Sequence, residues 1–519
     1  MNRSLILAVL CLCAFAVNVD TTLVNVALPT LVRELDAGTR ELQWIVDAYT
    51  LTFAALVLAF GALSDRYGRR EALVAGLVVY GTGNLLASLT DGATALIATR
   101  AVMGVGAAII FPTTLSIIVQ VFTDRAARAQ AIGLWGASTG LAVALGPIVG
   151  GALLESSSWQ ATFAVKVPVA LAAIALVVAV VPTSKDPSTP RLDLPGLVLS
   201  ALAIGLVVFA VIEAPEAGWT SGQTVATFAA GAAAIAGFVW WEGRTRSPML
   251  DLGLFRSARF SAASASVTVA FFALAGFIFL ITQYFQFLKG YGPLETGVRL
   301  LPVATFVALT SVLGTKLAVR IGNKLVISTG LGLLAIAYAW ISTVAVETSY
   351  AEIAAQMVVL GSGMGLTGAP ATESIMGAVS KAKAGIGSGI NDTTRELGAT
   401  LGVAVIGSVY ASLYAARLDG GVLAGLPAEA EEAAGESIGA AVIAASELTA
   451  AGAGGAAAQL QAATAAGFFD GLQAGCLVAA GVCLAGAVFC AVALPSRPAE
   501  AEEDAAAAVP AEAAVAAAA

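Results

Sequence analysis

The chain has 519 residues, of which 58% are Ala, Val, Ile, Leu, Met, Phe, Trp, Tyr or Cys and only 12% are charged; the net charge is −8 and the mean hydropathy +0.88. An ordinary soluble domain carries about twice that share of charge, so much of the surface must face lipid, and a soluble enzyme, a nucleic-acid binder and a disordered hub are excluded. Histidine is absent, which removes His-based metal sites, Ser-His triads and His proton relays.

A bilayer core takes about 20 mostly apolar residues per helix. Runs of that kind fall near 5–32, 43–63, 72–90, 94–121, 129–153, 160–182, 194–213, 223–242, 261–287, 297–317, 325–346, 353–373, 386–413 and 468–494, which makes fourteen predicted spans. The first run continues well past the apolar core of a signal peptide and has no small-x-small cleavage site, so it is expected to be retained. The division expected is a six-helix bundle at 1–185, two inserted helices within 186–259, and a second six-helix bundle at 260–494. Residues 414–467 interrupt the second bundle. They are rich in Ala and Gly and carry Glu429, Glu431, Glu432, Glu436 and Glu447, a composition that favours one or two helical pieces in a loop outside the membrane. Residues 495–519 open with Glu500, Glu502, Glu503 and Asp504 and continue as an Ala-rich run, expected to be a disordered cytoplasmic tail. The five cysteines, Cys11, Cys13, Cys476, Cys483 and Cys490, sit in apolar runs without a Cys-x-x-Cys and read as small packing residues, with no metal site implied.

Lys and Arg set the orientation. With the N-terminus in the cytoplasm, eighteen of the 26 basic residues fall inside, among them Arg66, Arg69, Arg70, Arg125, Arg128, Lys316, Arg320 and Lys324, and five fall outside: Arg33, Arg40, Lys289, Arg299 and Arg417. Arg100, Lys166 and Arg395 fall within spans or at their edges. Both termini are then cytoplasmic. A weak repeat supports two halves: Arg66-x-Gly68-x-Arg70 after the second span matches Arg320-x-Gly322-x-Lys324 after the tenth, and paired halves are a transporter design.

Ionisable groups inside a membrane are costly and mark function. Asp20 lies mid-span in the first helix, where burial favours the neutral form of a carboxyl, so it is the candidate carrier of a coupling proton; the alternative is a protonated acid hydrogen-bonded to a neighbouring helix. Asp47, near the outer end of the second span, is either a coupling group or a wetted interfacial acid. Asn391, Asp392, Arg395 and Glu396 share one side of the thirteenth span and form either a substrate site or a satisfied polar knot. Glu213 and Glu242 close the inserted helices and read as interfacial, and Glu373 is placed to pair with Lys381 or Lys383. Phe111, Trp135, Phe279, Tyr284 and Phe287, with Asn25, are the candidate cavity lining, since flat apolar surfaces suit lipophilic ligands; for each aromatic taken singly, a place in the lipid-facing belt is the alternative.

The stretch 61–70, Gly-Ala-Leu-Ser-Asp-Arg-Tyr-Gly-Arg-Arg, resembles the signature loop of the major facilitator superfamily, with Gly61, Asp65, Arg66, Gly68, Arg69 and Arg70 in the family's positions. Residues 136–151 resemble the helix-five antiporter motif of its exporters through Gly136, Gly140, Gly146, Pro147, Gly150 and Gly151. Asn18-Val-Asp20 through Pro29, Arg100-x-x-x-Gly104-x-Gly106 and residues 385–407 are similar to the fourteen-helix drug–proton antiporter branch. The resemblance implies an all-α membrane fold of two six-helix bundles with two inserted helices, a signature loop that gates, a helix-five face that seals the halves together, and proton coupling that involves Arg100. It implies a monomeric multi-pass exporter of lipophilic or amphipathic compounds such as antibiotics, driven by the proton-motive force without a cofactor. Seven lysines against nineteen arginines point to a GC-rich bacterium and so to its inner membrane. The second-half loop departs from the first by lacking its acid. Two other readings stay open: a proton-coupled importer of a metabolite, and a membrane-embedded enzyme, for which the sequence offers little chemistry.

Overall fold

The computed structural model describes residues 3–185, 193–245, 248, 250, 252–377, 384–418, 423 and 426–495. Among these residues every regular element is helical. The first bundle contains α1 (Arg3–Leu35), α2 (Thr39–Tyr67), α3 (Arg69–Ala87), α4 (Ala93–Val121), α5 (Arg125–Ser156) and α6 (Lys166–Val180). The insertion is α7 (Leu194–Ala217) and α8 (Gly222–Glu242). The second bundle contains α9 (Ala258–Gln283), α10 (Leu301–Ile321), α11 (Asn323–Ile341), α12 (Tyr350–Gly377), α13 (Ala384–Leu418) and α14 (Gly454–Ala493). Each of these helices falls on one of the predicted apolar runs. Ten segments of the described residues are long and apolar enough to cross a membrane by length and composition alone.

The same pairing is built twice. In the first bundle α1 packs on α5, α2 on α4, and α3 on both α4 and α6; in the second, α9 packs on α13, α10 on α12, and α11 on both α12 and α14. Glycines permit these approaches where a side chain would collide with backbone. A Cβ on Gly106 would lie 2.6 Å from the backbone nitrogen of Tyr80 on α3, and one on Gly363 2.7 Å from the carbonyl oxygen of Gly330 on α11. The sequence repeat has a backbone counterpart as well. Gly68 (φ 130°) and Gly322 (φ 89°) each end one helix and begin the next without an intervening residue, a left-handed conformation that favours glycine.

Three boundaries differ from the sequence reading. The run 160–182 is a short helix, Ala161–Ala164, then α6, because Pro168 has no N–H to give the carbonyl of Ala164. The run 297–317 breaks at Leu300 between Pro293–Arg299 and α10, with Pro302 playing the same part. The 414–467 loop contains two helices, Ala428–Glu436 and Ile438–Ala450, but α14 starts at Gly454, fourteen residues before the apolar run; the Ala-rich lead-in propagates the helix. Residues 496–519, and with them the expected tail, lie outside the described residues.

The bundle end bearing the 414–467 loop is called the loop face below, and the end bearing the Gly68 turn the motif face. The halves meet chiefly along α2 with α13 and along α5 with Pro293–Arg299 and α10, with smaller contacts of α1 on α9 and of α4 on α13. Helix α7 lies over the first of these and touches both α2 and α13, joined to the first half by Arg40–Glu213 at 2.6 Å and to the second by a hydrogen bond from Trp219 Nε1 to Ser412 Oγ at 3.0 Å.

Candidate functional site

Two groups of buried charge stand apart in the fold. The first is sealed inside the first bundle. Asp20 of α1 accepts from Arg100 Nη1 of α4 on one carboxylate oxygen and from Lys166 Nζ of α6 on the other. The Asp20 and Arg100 side chains are fully buried and that of Lys166 is 6% exposed. Arg100 Nε also donates to the carbonyl of Ile45 at 2.9 Å, and the guanidinium stands 4.4 Å from the ring centre of Tyr49. Tyr49 and Tyr80 donate their hydroxyls to the α1 carbonyls of Val17 (3.1 Å) and Ala16 (2.9 Å), so α1 to α4 and α6 all converge on this point. Asp20 is therefore not a lone acid in an apolar stretch: each of its oxygens meets a basic side chain, and Lys166, which the sequence placed within a span or at its edge, is the second partner.

The second group lies at the seam between the halves. Asp392 on α13 is 2% exposed; Arg395 Nη1 is 3.9 Å from Asp392 Oδ1, and Asp392 Oδ2 has no hydrogen-bond partner. Asn391 Oδ1 accepts from Thr372 of α12 at 2.9 Å. The Arg395 guanidinium sits between Phe271 of α9 (4.7 Å to the ring centre) and Phe111 of α4 (5.6 Å), one ring from each half. Phe111 stacks at a tilt on Trp135 at 4.8 Å, and Trp135 Nε1 donates to Thr114. Glu396 is half-buried, one turn from Thr400, whose hydroxyl donates across the seam to Thr50 at 2.8 Å. Asp47 shares that part of α2. It is fully buried rather than wetted, with Thr50 donating to it at 3.5 Å and its other oxygen unpartnered.

Other residues singled out in the sequence are placed elsewhere. Tyr284 lies inside the second bundle at the loop face, donating to the carbonyl of Ala345 and stacked on Phe468 of α14, so it does not join Phe111 and Trp135; the apolar run gave its depth but not its facing. Phe279 is likewise buried in that bundle. Asn25 is buried near the seam, and its amide nitrogen donates within α1 to Thr21. Glu213 and Glu242, at the ends of the inserted helices, are buried against neighbouring protein. Glu213 pairs with Arg40 and Trp44, and Glu242 accepts from the backbone of Leu250. Glu373 is exposed, and Lys381 and Lys383 lie outside the described residues.

The loop face of the seam is closed. Gln43 Nε2 reaches the carbonyls of Val403 (3.4 Å) and Ala404 (3.3 Å) and the hydroxyl of Ser408 (3.3 Å), and Gln286 donates to the carbonyl of Val26 at 2.9 Å. The helix-five glycines divide their work. Gly146 and Gly150 face Thr22 and Leu23 of α1, whereas Gly151 abuts the backbone of Leu294 and the carbonyl of Pro147 abuts Gly297, both across the seam. Gly136 is exposed on α5, and the surroundings of Gly140 lie outside the described residues. Between α1, α5, α9 and α10 the crevice lined by Thr22, Pro147, Leu274 and Val303 holds about 20 Å³, enough for a water molecule. At the motif face Gly61 lies against Pro112, Arg69 Nη1 donates to Gln120 of α4 at 2.5 Å, and Arg70 pairs with Glu71 at 3.2 Å. The second half repeats this tie with Asn323 donating to Ser374 of α12 at 2.5 Å. Arg66 lies beside the Tyr67 ring, and the Asp65 side chain lies outside the described residues.

Helices paired identically in two halves, a charged centre in the first and a polar seam between them define a two-bundle membrane transporter. The chain belongs to the major facilitator superfamily, which it matches over residues 10–403. It is 37% identical over 487 residues to the multidrug efflux pump LfrA of Mycolicibacterium smegmatis, spanning 94% of this chain and 95% of that protein. It is 35% identical to the multidrug resistance protein Stp of Mycobacterium tuberculosis, over 81% of this chain and 78% of that one, and 31% identical to a methylenomycin A resistance protein of Streptomyces coelicolor, over 76% and 82%. The fold is similar to the crystal structure of a bacterial homologue of the human lysosomal transporter Spinster, with a TM-score of 0.63, 17% identity, and coverage of 95% of this chain and 96% of that one.

Proposed function

We propose that this protein is a proton-coupled antiporter that exports lipophilic or amphipathic small molecules by alternating access and so confers drug or antibiotic resistance. The observation that carries the reading is the separation of two charged sites: a sealed Asp20–Arg100–Lys166 cluster suited to holding protons, and a seam with acids and aromatic rings suited to holding an apolar, positively charged or polar-ended ligand. The efflux and resistance proteins among its relatives support the direction of transport. The protein sits in the bacterial inner membrane as a monomer with both termini in the cytoplasm, so the motif face is cytoplasmic and the closed loop face is external. In that state the seam admits ligand from the cytoplasmic side. Rocking of the halves about the α2–α13 contact then reverses access, and the Asp65–Arg66 loop latches one of the two states. Each elementary charge moved across 100 mV supplies about 2.3 kcal/mol, which is the drive the cycle uses; no cofactor enters.

Inverted membrane vesicles from a pump-deficient host carrying the gene test this reading with ethidium, a fluorescent lipophilic cation. An acidified lumen drives dye accumulation, and collapse of the pH gradient abolishes it. Accumulation that is indifferent to the gradient, or dye loss on acidification, contradicts the assignment.

A further inference from the structure

The Asp20 cluster carries more positive charge than its one carboxylate balances. Arg100 and Lys166 contact different oxygens of Asp20. The ionisable groups that act on Lys166 are Asp20 from α1, which Nζ contacts, and Arg100 from α4, with the Phe163 ring of the short helix 4.6 Å from Nζ; Tyr49 of α2 lies over the Arg100 guanidinium and also feels the charge of Glu396 on α13. Among the described residues no second carboxylate pairs with either cation. Buried charges of one sign without a counter-ion are strongly disfavoured.

Three protons are in question. The guanidinium of Arg100 does not lose its own. Adding one to Asp20 enlarges the surplus, because two buried cations would then face a neutral acid. Removing one from Lys166 abolishes the surplus and leaves one carboxylate, one guanidinium and one neutral amine. Lysine is also the cation that responds to burial by changing its charge state, where arginine does not.

We propose that Lys166 is the group that exchanges the coupling proton, with Asp20 and Arg100 as a fixed ion pair that positions it. This rests on the proton-coupled reading above and names the residue that carries it out. With the loop face closed, Nζ holds its proton against Asp20 Oδ1. When the seam rearranges, α1 transmits the change, since the helix bearing Asp20 also presents the Val26 carbonyl that Gln286 grips across the seam. As ligand enters the seam with the loop face still closed, water reaches Nζ from the cytoplasmic motif face, one N–H bond breaks, the electron pair stays on nitrogen, and the proton leaves to that side as hydronium. After the loop face has opened and the ligand has left, reprotonation from the external side resets the cluster.

The experiment compares wild type, Lys166→Arg and Lys166→Met in proteoliposomes, with ethidium as probe and size-exclusion profiles confirming folded protein. Two activities are read: transport driven by an imposed pH gradient, and exchange of dye across the membrane without a gradient, which needs alternating access but no net proton movement. The proposal expects both variants to lose driven transport to the level of empty liposomes while exchange persists. It is overturned if Lys166→Arg is driven at the wild-type rate, because a permanent charge at this position then suffices. It is also overturned if folded Lys166→Arg loses exchange together with driven transport, which makes the lysine structural. Absence of driven transport in wild type, with exchange intact, overturns the proton-coupled reading itself and is distinguishable from both.

Discussion

At the scale of single residues, the Asp20 cluster makes a charge-balance argument that can be measured. Asp20→Asn keeps the shape of the side chain but leaves Arg100 and Lys166 without a counter-ion, and breaking a buried pair in this way costs about 3–5 kcal/mol. Its thermal midpoint in detergent should fall clearly below that of wild type. Asp20→Asn combined with Lys166→Met removes one surplus cation and should recover part of the loss; a double variant less stable than the single one shows that the surplus is not what destabilises. Asp392→Asn or Glu396→Gln should instead change which compounds are carried, because these acids lie at the seam beside Phe111 and Arg395. Resistance profiles across lipophilic cations and neutral compounds check this, and an unchanged profile with impaired gradient coupling moves these acids to the proton path. Asp20 was legible in the sequence because a charge in mid-span is conspicuous, and Arg100 because it stands in a stretch similar to the family's helix-four motif. Lys166 was not, because it lies as near the edge of its apolar run as Arg100 does but in no such motif, and 146 residues separate it from Asp20.

At the scale of helices, the glycines decide which contacts close. Gly297 fits against the carbonyl of Pro147, and Gly151 against the backbone of Leu294, so the α5 side of the loop-face closure is made by backbones in contact. Gly297→Val should prevent this closure and shift the resting population towards a state open at the loop face. Spin-label distances between Glu155 and Glu295 should lengthen in the variant, and unchanged distances refute the role given to Gly297. Gly146→Leu acts differently: its side chain would meet Thr22 and Val19 inside the first half, so it should lower stability, by about 1–3 kcal/mol for overpacking, before it alters gating. The helix-five motif was readable as a run of small residues, but not the division of its two faces, since spacing along one helix does not say which partner stands on each side. The repeat was visible at Gly68 and Gly322 because a turn without intervening residues demands glycine. The equivalence of the α4 and α12 glycines emerges only from the pairing of helices that contact across long stretches of chain.

At the scale of the whole molecule, fourteen apolar runs and the signature turn sufficed for the architecture, because lipid forces each backbone to satisfy its own hydrogen bonds in helices. Less legible was the placement of the insertion. Helix α7 lies along α2 and α13 and is bonded to both halves through Arg40–Glu213 and Trp219–Ser412, which favours movement about this side and opening at the α5–α10 side. The 414–467 loop adds a second bridge, as Gly439 contacts Val32 of the first half and Phe287 of the second. Antiport is reciprocal: a ligand gradient alone must move protons the other way. The most direct measurement is the lumenal pH of proteoliposomes without an initial pH gradient when ethidium is added outside. Dye entering through an antiporter expels protons, so the lumen should become alkaline, and Lys166→Arg should abolish the change. Acidification of the lumen, or dye entry through the protein with no change in pH, contradicts the account.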